Sequence, residues 1–242
     1  MMINIRTTIL DKLIEKFHLK IRDREASAII LSTLILNHLH NYERNNVIVL
    51  GIPRGGVIVA DIIARRLQAS NFDIVLPRKL MIPSHEENGF GSVMEDESVY
   101  IDFTVVETLS IAPAYIEKEK LHQIQEMKHK SLLYRKSEHL LQFHEKLNDK
   151  NRIIILVDDG AATGATLISV AKWIKNRTEH KYKKLIIALP IAPKHVVELL
   201  KKECDHLEVV ISSSAFQTVS HFYRDFEQIT DDQVIQILQK WM

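Results

Sequence analysis

A single cysteine, Cys204, excludes any intrachain disulfide, and its Lys-Glu-Cys-Asp-His setting offers no metal-ligand spacing. Net charge is almost absent: 32 Lys and Arg stand against 31 Asp and Glu, a formal +1 at pH 7. No global field then draws the chain to nucleic acid or to an anionic membrane, so any polyanion site must be built locally from placed residues. No apolar run reaches the roughly 18 residues of a membrane span. No internal repeat or low-complexity tract stands out, and the G-x-G-x-x-G pattern of dinucleotide-binding turns does not occur. The opening MMINIRTTILDKLIEKF lacks the apolar core and small-residue cleavage site of a leader, so a cytoplasmic protein with no membrane partner is expected. What is present, 46% hydrophobic and 26% charged residues over 242 positions, suits one large or two small globular units with a substantial core.

Apolar periodicity predicts helices over 9–17 and 24–42 before a first strand at 47–51. A helix at 57–68 and a strand at 72–76 follow, which makes a βαβ unit with a right-handed crossover. The alternation resumes with strand 153–157, helix 167–175, strand 185–189, helix 193–202 and strand 207–211. The expected fold is α/β, a doubly wound and mainly parallel sheet whose ligands lie at the carboxyl ends of its strands. We read 1–242 as one domain with its core at about 47–211, a helical N-terminal segment at 1–46 and a C-terminal hood and helix at 212–242.

Two segments interrupt this order. Residues 77–100 are polar and too long for an ordinary connection, which points to a lid or an irregular hairpin with mobility. Its His85, Glu86 and Glu87 are adjacent and therefore poorly placed to converge on one ion. Residues 114–149 predict one long or broken amphipathic helix, an insertion in the alternating pattern. Lys118, Lys120, Lys128, Lys130, Arg135 and Lys136 lie on it, but Glu117, Glu119, Glu126 and Glu138 interleave with them, the habit of a solvated face rather than a nucleic-acid surface.

The strongest chemical signal is RIIILVDDGAATGAT, from Arg152 to Thr166. Its apolar run has no polar alternation, as a strand buried on both faces requires. It stops at Asp158 and Asp159 and enters a loop of small residues. Gly160, Ala161, Ala162, Gly164 and Ala165 leave the backbone open for amides to converge on an anion at the next helix N-terminus, and Thr163 and Thr166 add hydroxyl donors. Carboxylates beside a phosphate repel it unless a metal or sugar hydroxyls intervene, and a ribose 5-phosphate satisfies all three features. A second strand end, VIVLGIPRGG, presents Arg54 with Gly55 and Gly56: the glycines permit close approach, and the guanidinium forks onto phosphate oxygens. At a third, Arg78 and Lys79 open the polar segment. The aromatic stretch FQTVSHFYRDF offers Phe222 or Tyr223 as a flat wall for a ring, with core packing as the competing reading, and carries Asp225 as a charge beside them.

The acidic pair followed by Thr-Gly-x-Thr after a hydrophobic strand closely resembles the PRPP motif of type I phosphoribosyltransferases, PRPP being 5-phosphoribosyl 1-diphosphate. Pro53-Arg54-Gly55-Gly56 is similar to the family's pyrophosphate loop, and Arg78-Lys79 looks like the start of its catalytic flexible loop. The resemblance spans about 47–211 and is greatest to bacterial and archaeal members that share the PRGG, RK and VDDGxATGAT boxes. It implies a Mg²⁺-dependent transferase that passes the 5-phosphoribosyl group to an unidentified nitrogen acceptor, a nucleobase or related amine, and releases pyrophosphate, with Asp225 near that pyrophosphate or its Mg²⁺. Asp158 and Asp159 would face the ribose and reach the metal indirectly, while 160–166 hold the 5-phosphate, and Arg54, Gly55, Gly56, Arg78 and Lys79 hold the pyrophosphate. One departure bears on the acceptor: 6-oxopurine-specific members carry aspartate where this chain has Ala162, which speaks against hypoxanthine and guanine, whereas alanine occurs there in adenine-type members. A homodimer is expected from similar proteins and from general symmetry statistics. The alternative reading is a PRPP-sensing regulator that contacts RNA, DNA or a partner, for which a dense basic stripe is missing. A purely structural interaction protein docking through 114–149 has no use for the intact Asp158, Asp159 and Thr163 set.

Overall fold

The computed structural model describes residues 20–83, 85–135 and 147–241, so the expected helix over 9–17 lies outside the described residues. The first described helix, α1 (Arg24–Leu36), begins where the Asp23 side chain accepts a hydrogen bond from the Ala26 amide at 2.7 Å. It ends short of 42. Asn37, His38, His40 and Asn41 are poor helix formers, and the chain passes into a 3-10 turn at Asn41–Asn46 instead.

The alternation then starts with β1 (Val47–Gly51), α2 (Gly55–Leu67) and β2 (Asn71–Ile74). An antiparallel unit follows, β3 (Arg78–Ile82), β4 (His85–Val93) and β5 (Val99–Ile101), then α3 (Phe103–Thr108) and the long α4 (Pro113–Arg135). The second half runs β6 (Ile153–Val157), α5 (Ala165–Arg177), β7 (Lys184–Pro193), α6 (Lys194–Leu200) and β8 (His206–Ser213). A 3-10 turn at Val219–Phe222 and α7 (Asp231–Gln239) close it.

The main sheet has the order β2-β1-β6-β7-β8 with every pairing parallel, the doubly wound arrangement the strand pattern implies. Successive side chains of a strand point to opposite faces. Val47, Val49, Ile153 and Ile155 therefore share one core with Leu31 of α1, Ile63 of α2 and Val234 of α7. Ile48, Leu50, Ile154 and Leu156 enter a second core with Val170 and Ile174 of α5 and Val196 of α6. Burial on both sides is why these strands carry unbroken apolar runs, each fully buried aliphatic side chain contributing about 1.5–3 kcal/mol. Gly51 pairs with Val157 at the carboxyl ends of β1 and β6, so the loops after these two strands leave the sheet side by side.

The polar 77–100 segment is a small three-stranded antiparallel sheet, β3-β4-β5, with register shifts at Leu80/Met81 and Met81/Ile82. It is irregular, as expected, yet anchored: Leu80 and Phe90 are fully buried. α4 lies against it, where the Tyr115 hydroxyl donates to the Met81 carbonyl and the Met81 amide donates to Glu119 Oε1, both at 3.1 Å. The expected helix over 114–149 is realised as far as Arg135, and 136–146, with Lys136 and Glu138, lie outside the described residues.

Its charges are not all solvated, which corrects the reading of a wholly solvent-facing set. Glu119 and Arg135 are 9% and 5% exposed. Arg135 donates to the Ile74 carbonyl at the end of β2 and pairs with Glu95 at 3.2 Å and Asp73 at 3.3 Å. Glu119 accepts from the Met81 amide, which lies between the two register shifts of β3. Among the described residues no helix is long and apolar enough to cross a membrane.

Candidate active site

The loop after β6 wraps a cavity of about 390 Å³ lined by Asp158, residues 160–167 and, from across the opening, Lys79 of β3. Its backbone needs glycine at two positions. Gly160 has φ +153° and would drive a Cβ to 2.5 Å from Val219 Cγ1, while Gly164 has φ +73° and would meet Val196 Cγ1 at 2.7 Å. α5 starts at Ala165, immediately after Gly164, so its first-turn amides, which have no intrahelical acceptor, open toward this cavity together with the positive end of the helix dipole. Thr163 and Ala162 are exposed. Every residue that the sequence assigns to the phosphate loop lines this one cavity.

Asp158 and Asp159 stand where the two loops meet. A Cβ on Gly56 would lie 2.8 Å from Asp158 Cα and 2.9 Å from the Val157 carbonyl, and one on Gly55 would lie 1.8 Å from Asp159 Oδ2. The paired glycines thus let the 53–56 turn pass directly against the acidic pair. Asp158 Oδ1 accepts from the Asp159 amide at 2.8 Å. Burial, and after it the neighbouring Asp159 charge, push the Asp158 carboxyl well above the ordinary carboxylate range.

Asp159 is held from two sides that the sequence does not advertise. Arg24 Nε donates to Asp159 Oδ2 at 2.7 Å, in a pair whose side chains are 9% and 16% exposed. The Arg24 guanidinium also donates to the Glu227 carbonyl at 2.8 Å and lies 3.9 Å above the Phe226 ring. The Tyr223 hydroxyl donates to the Asp159 carbonyl at 2.9 Å. α1 and the C-terminal hood therefore converge on one residue of the acidic loop, α1 on its carboxylate and the hood on its carbonyl.

A second cavity, about 330 Å³, is lined by Arg54 and Arg78 with Lys130 and Tyr134 of α4, among apolar walls that include Pro77 and Met127. The Arg78-Lys79 pair is divided between the two cavities, because adjacent residues of a strand project to opposite sides. Arg78 Nε donates to Gln123 Oε1 at 3.1 Å, which fixes its direction. The Pro53–Arg54 peptide that enters this loop is cis.

The remaining sequence candidates have other surroundings. Phe222 is 8% exposed and stacks on Phe216 with centroids 5.6 Å apart; Tyr223 is 2% exposed and stacks on Phe226 at 4.9 Å. Neither ring lines the two cavities. They belong to the core, and Tyr223 acts on the site as a brace beneath Asp159. Asp225 is exposed, with its amide donating to the Arg22 carbonyl at 2.8 Å and its charge acting on Arg22. Among the described residues no group of three or more His, Cys, Asp or Glu is arranged to hold a metal ion. Two carboxylates where these loops meet are the hard oxygen donors that suit Mg²⁺, an ion that keeps most of its waters and takes the rest of its oxygens from phosphorylated ligands.

Comparison with known proteins agrees with this architecture. The phosphoribosyl transferase domain family matches residues 19–223. Proteins of two Mycobacterium tuberculosis strains, provisionally named phosphoribosyl transferases, are 32% identical over 194 residues, covering 80% of this chain and 42% of theirs. The chain thus spans about two fifths of the length of these relatives. The crystal structure of TT1426 from Thermus thermophilus superposes with a TM-score of 0.72 at 29% identity, covering 92% of this chain and 99% of that one.

Proposed function

Because this chain belongs to the phosphoribosyl transferase domain family, we propose that it transfers the 5-phosphoribosyl group of PRPP to a nitrogen nucleophile, with Mg²⁺ bound and pyrophosphate released. The observation that carries this reading is the position of Asp158 and Asp159 at the meeting of two loops, one that leads into a helix N-terminus and faces Lys79 across its cavity, the other bearing Arg54 and sharing its cavity with Arg78. PRPP has an anionic group at each end of a hydroxyl-bearing sugar. Micromolar binding requires about 8 kcal/mol and a charge-assisted hydrogen bond supplies about 1.5–3, so neither loop alone is sufficient.

In this reading residues 160–166 fix the 5-phosphate and with it the reacting carbon. The bond from C1 to the pyrophosphate oxygen breaks with its electron pair on that oxygen. Positive charge grows on the ribose, where the carboxylates stabilise it. The acceptor nitrogen's lone pair forms the new C1–N bond, and the nitrogen gives up its proton to the departing pyrophosphate. Arg54 and Arg78 neutralise the departing pyrophosphate, and Lys79 closes the opening against water. Mg²⁺, held through water or ribose hydroxyls by Asp158 and Asp159, would supply charge neutralisation to the leaving group.

The acceptor is identified by following pyrophosphate release from PRPP against a panel of purines, pyrimidines and small amines. We expect release that depends on one acceptor class, and on adenine before hypoxanthine or guanine, given Ala162. PRPP binding with no release from any acceptor would transfer the function to ligand sensing.

A further inference from the structure

The cavity of Arg54 and Arg78 contains a third cation that the chemistry above does not use. Resting on the reading of that cavity as the pyrophosphate pocket, we propose that Lys130 and Tyr134 of α4 are pyrophosphate-binding residues, and that Asp231 of α7 is the stand-in anion that holds both in place until the ligand's oxygens replace it. Lys130 Nζ donates to Asp231 Oδ2 and the Tyr134 hydroxyl donates to Asp231 Oδ1, each at 2.5 Å. One carboxylate thus occupies two donors that line the same cavity as Arg54 and Arg78.

The charges do not balance without a ligand. Arg54, Arg78 and Lys130 line the cavity, and the carboxylate paired with Lys130 is Asp231. Arg54 is exposed, and its guanidinium makes no hydrogen bond or ion pair among the described residues. The Lys130 and Tyr134 hydrogen bonds, with Arg54 acting at longer range, hold the Asp231 carboxyl below the ordinary carboxylate range, as an anion seated among donors would be.

Apart from these donors the lining side chains are apolar, those of Pro53, Leu76, Pro77 and Met127. At about 330 Å³ the space lies at the small end of ligand sites, roughly 300–1,000 Å³, which suits a compact polyanion better than a nucleotide. α4 is fixed in place to do this, since its last described turn is tied to the end of β2 through Arg135. Lys130 and Asp231 are 32% and 27% exposed at their side chains, so the pair can part without opening the core.

The test is calorimetric titration of Mg²⁺-pyrophosphate and, separately, of ribose 5-phosphate into the full chain and its variants. Lys130→Met is expected to weaken pyrophosphate binding at least tenfold, as loss of a charge-assisted hydrogen bond does. Lys130→Arg should recover most of that loss, Tyr134→Phe should weaken binding a few-fold, and Asp231→Asn should tighten it several-fold by removing the competing anion. Ribose 5-phosphate affinity should not move in any of them, because it is taken by the Lys79 cavity; a merely structural role would lower both affinities together. Pyrophosphate affinity within twofold of wild type in Lys130→Met, while Arg54→Met abolishes it, would overturn the role of α4 and leave the site's reading standing. Failure of the wild-type chain to bind pyrophosphate at all would overturn both.

Discussion

Asp158→Asn is expected to lower turnover by about 10²–10³-fold while leaving the folded chain at least as stable as the wild type. The rate loss is the usual magnitude, about 2.7–4 kcal/mol, for removing one preorganised electrostatic group from the developing charge of a transition state. The stability follows from what the carboxylate costs when no ligand is present. Asp158 is half-buried beside a second carboxylate, and its pKa is raised well above the ordinary range.

A raised folded-state pKa means that the native chain holds a proton that the unfolded chain has already lost. Stability is therefore highest below the ordinary carboxylate pKa and falls as pH rises through the raised value. Turnover runs the other way, since only the ionised Asp158 can stabilise a cationic ribose. The wild type should show an acid limb in kcat/KM that Asp158→Asn lacks. The asparagine keeps an oxygen for the Asp159 amide, 2.8 Å away in the wild type, so the loop has no reason to rearrange. Urea unfolding and a pH–rate profile check both halves, and an unchanged rate with a verified acceptor would remove Asp158 from the chemistry.

Gly55→Ala should be as damaging as removing a carboxylate, though it deletes nothing. Its methyl group would fall 1.8 Å from Asp159 Oδ2 and 3.0 Å from Arg24 Nε, inside the buried pair that fixes Asp159. Either the carboxylate turns away from Arg24 or the 53–56 turn moves off the acidic pair and takes Arg54 with it. Overpacking of this kind costs about 1–3 kcal/mol of stability, and displacement of reacting groups by about 1 Å costs on the order of 100-fold in rate. Turnover is therefore expected to fall at least that far at a temperature where circular dichroism shows the variant folded. Activity near wild type would mean that the contact between the turn and Asp159 has no part in positioning it.

What the sequence reveals and what it hides divide along physical lines. β1 and β6 are found at the bounds their apolar runs indicate, because a strand buried on both faces leaves no polar interruption to blur it. The loops that follow them are legible for the same reason: glycines and charges at the end of such a strand have few other uses. Helix ends are less sharp. α2 and α5 both start before the predicted bounds, at Gly55 and Ala165, since small residues at a turn conceal that the first helical turn is already formed.

The antiparallel unit at 78–101 conceals itself differently. Its β3 has one buried residue, Leu80, among four half-buried ones, and the register shifts beside it break the period that would have marked the strand. Arg24, Lys130, Tyr134 and Asp231 have no signal at all. Arg24 meets a carboxylate 135 residues away, and Lys130 and Tyr134 meet one 101 and 97 residues away. In the linear chain they look like any surface charge or helix aromatic. Phe222 and Tyr223 are the converse case, since an aromatic pair suits a core and a ring-binding wall equally, and only burial separates them.

The most direct measurement is calorimetric titration of PRPP into the chain with and without Mg²⁺, beside ribose 5-phosphate and pyrophosphate alone. Two anion pockets flanking one acidic pair predict that Mg²⁺-PRPP binds more tightly than either fragment, and that Mg²⁺ strengthens the PRPP and pyrophosphate isotherms far more than the ribose 5-phosphate one. PRPP binding no tighter than ribose 5-phosphate, whether Mg²⁺ is present or not, would contradict the joining of the two pockets into a single site.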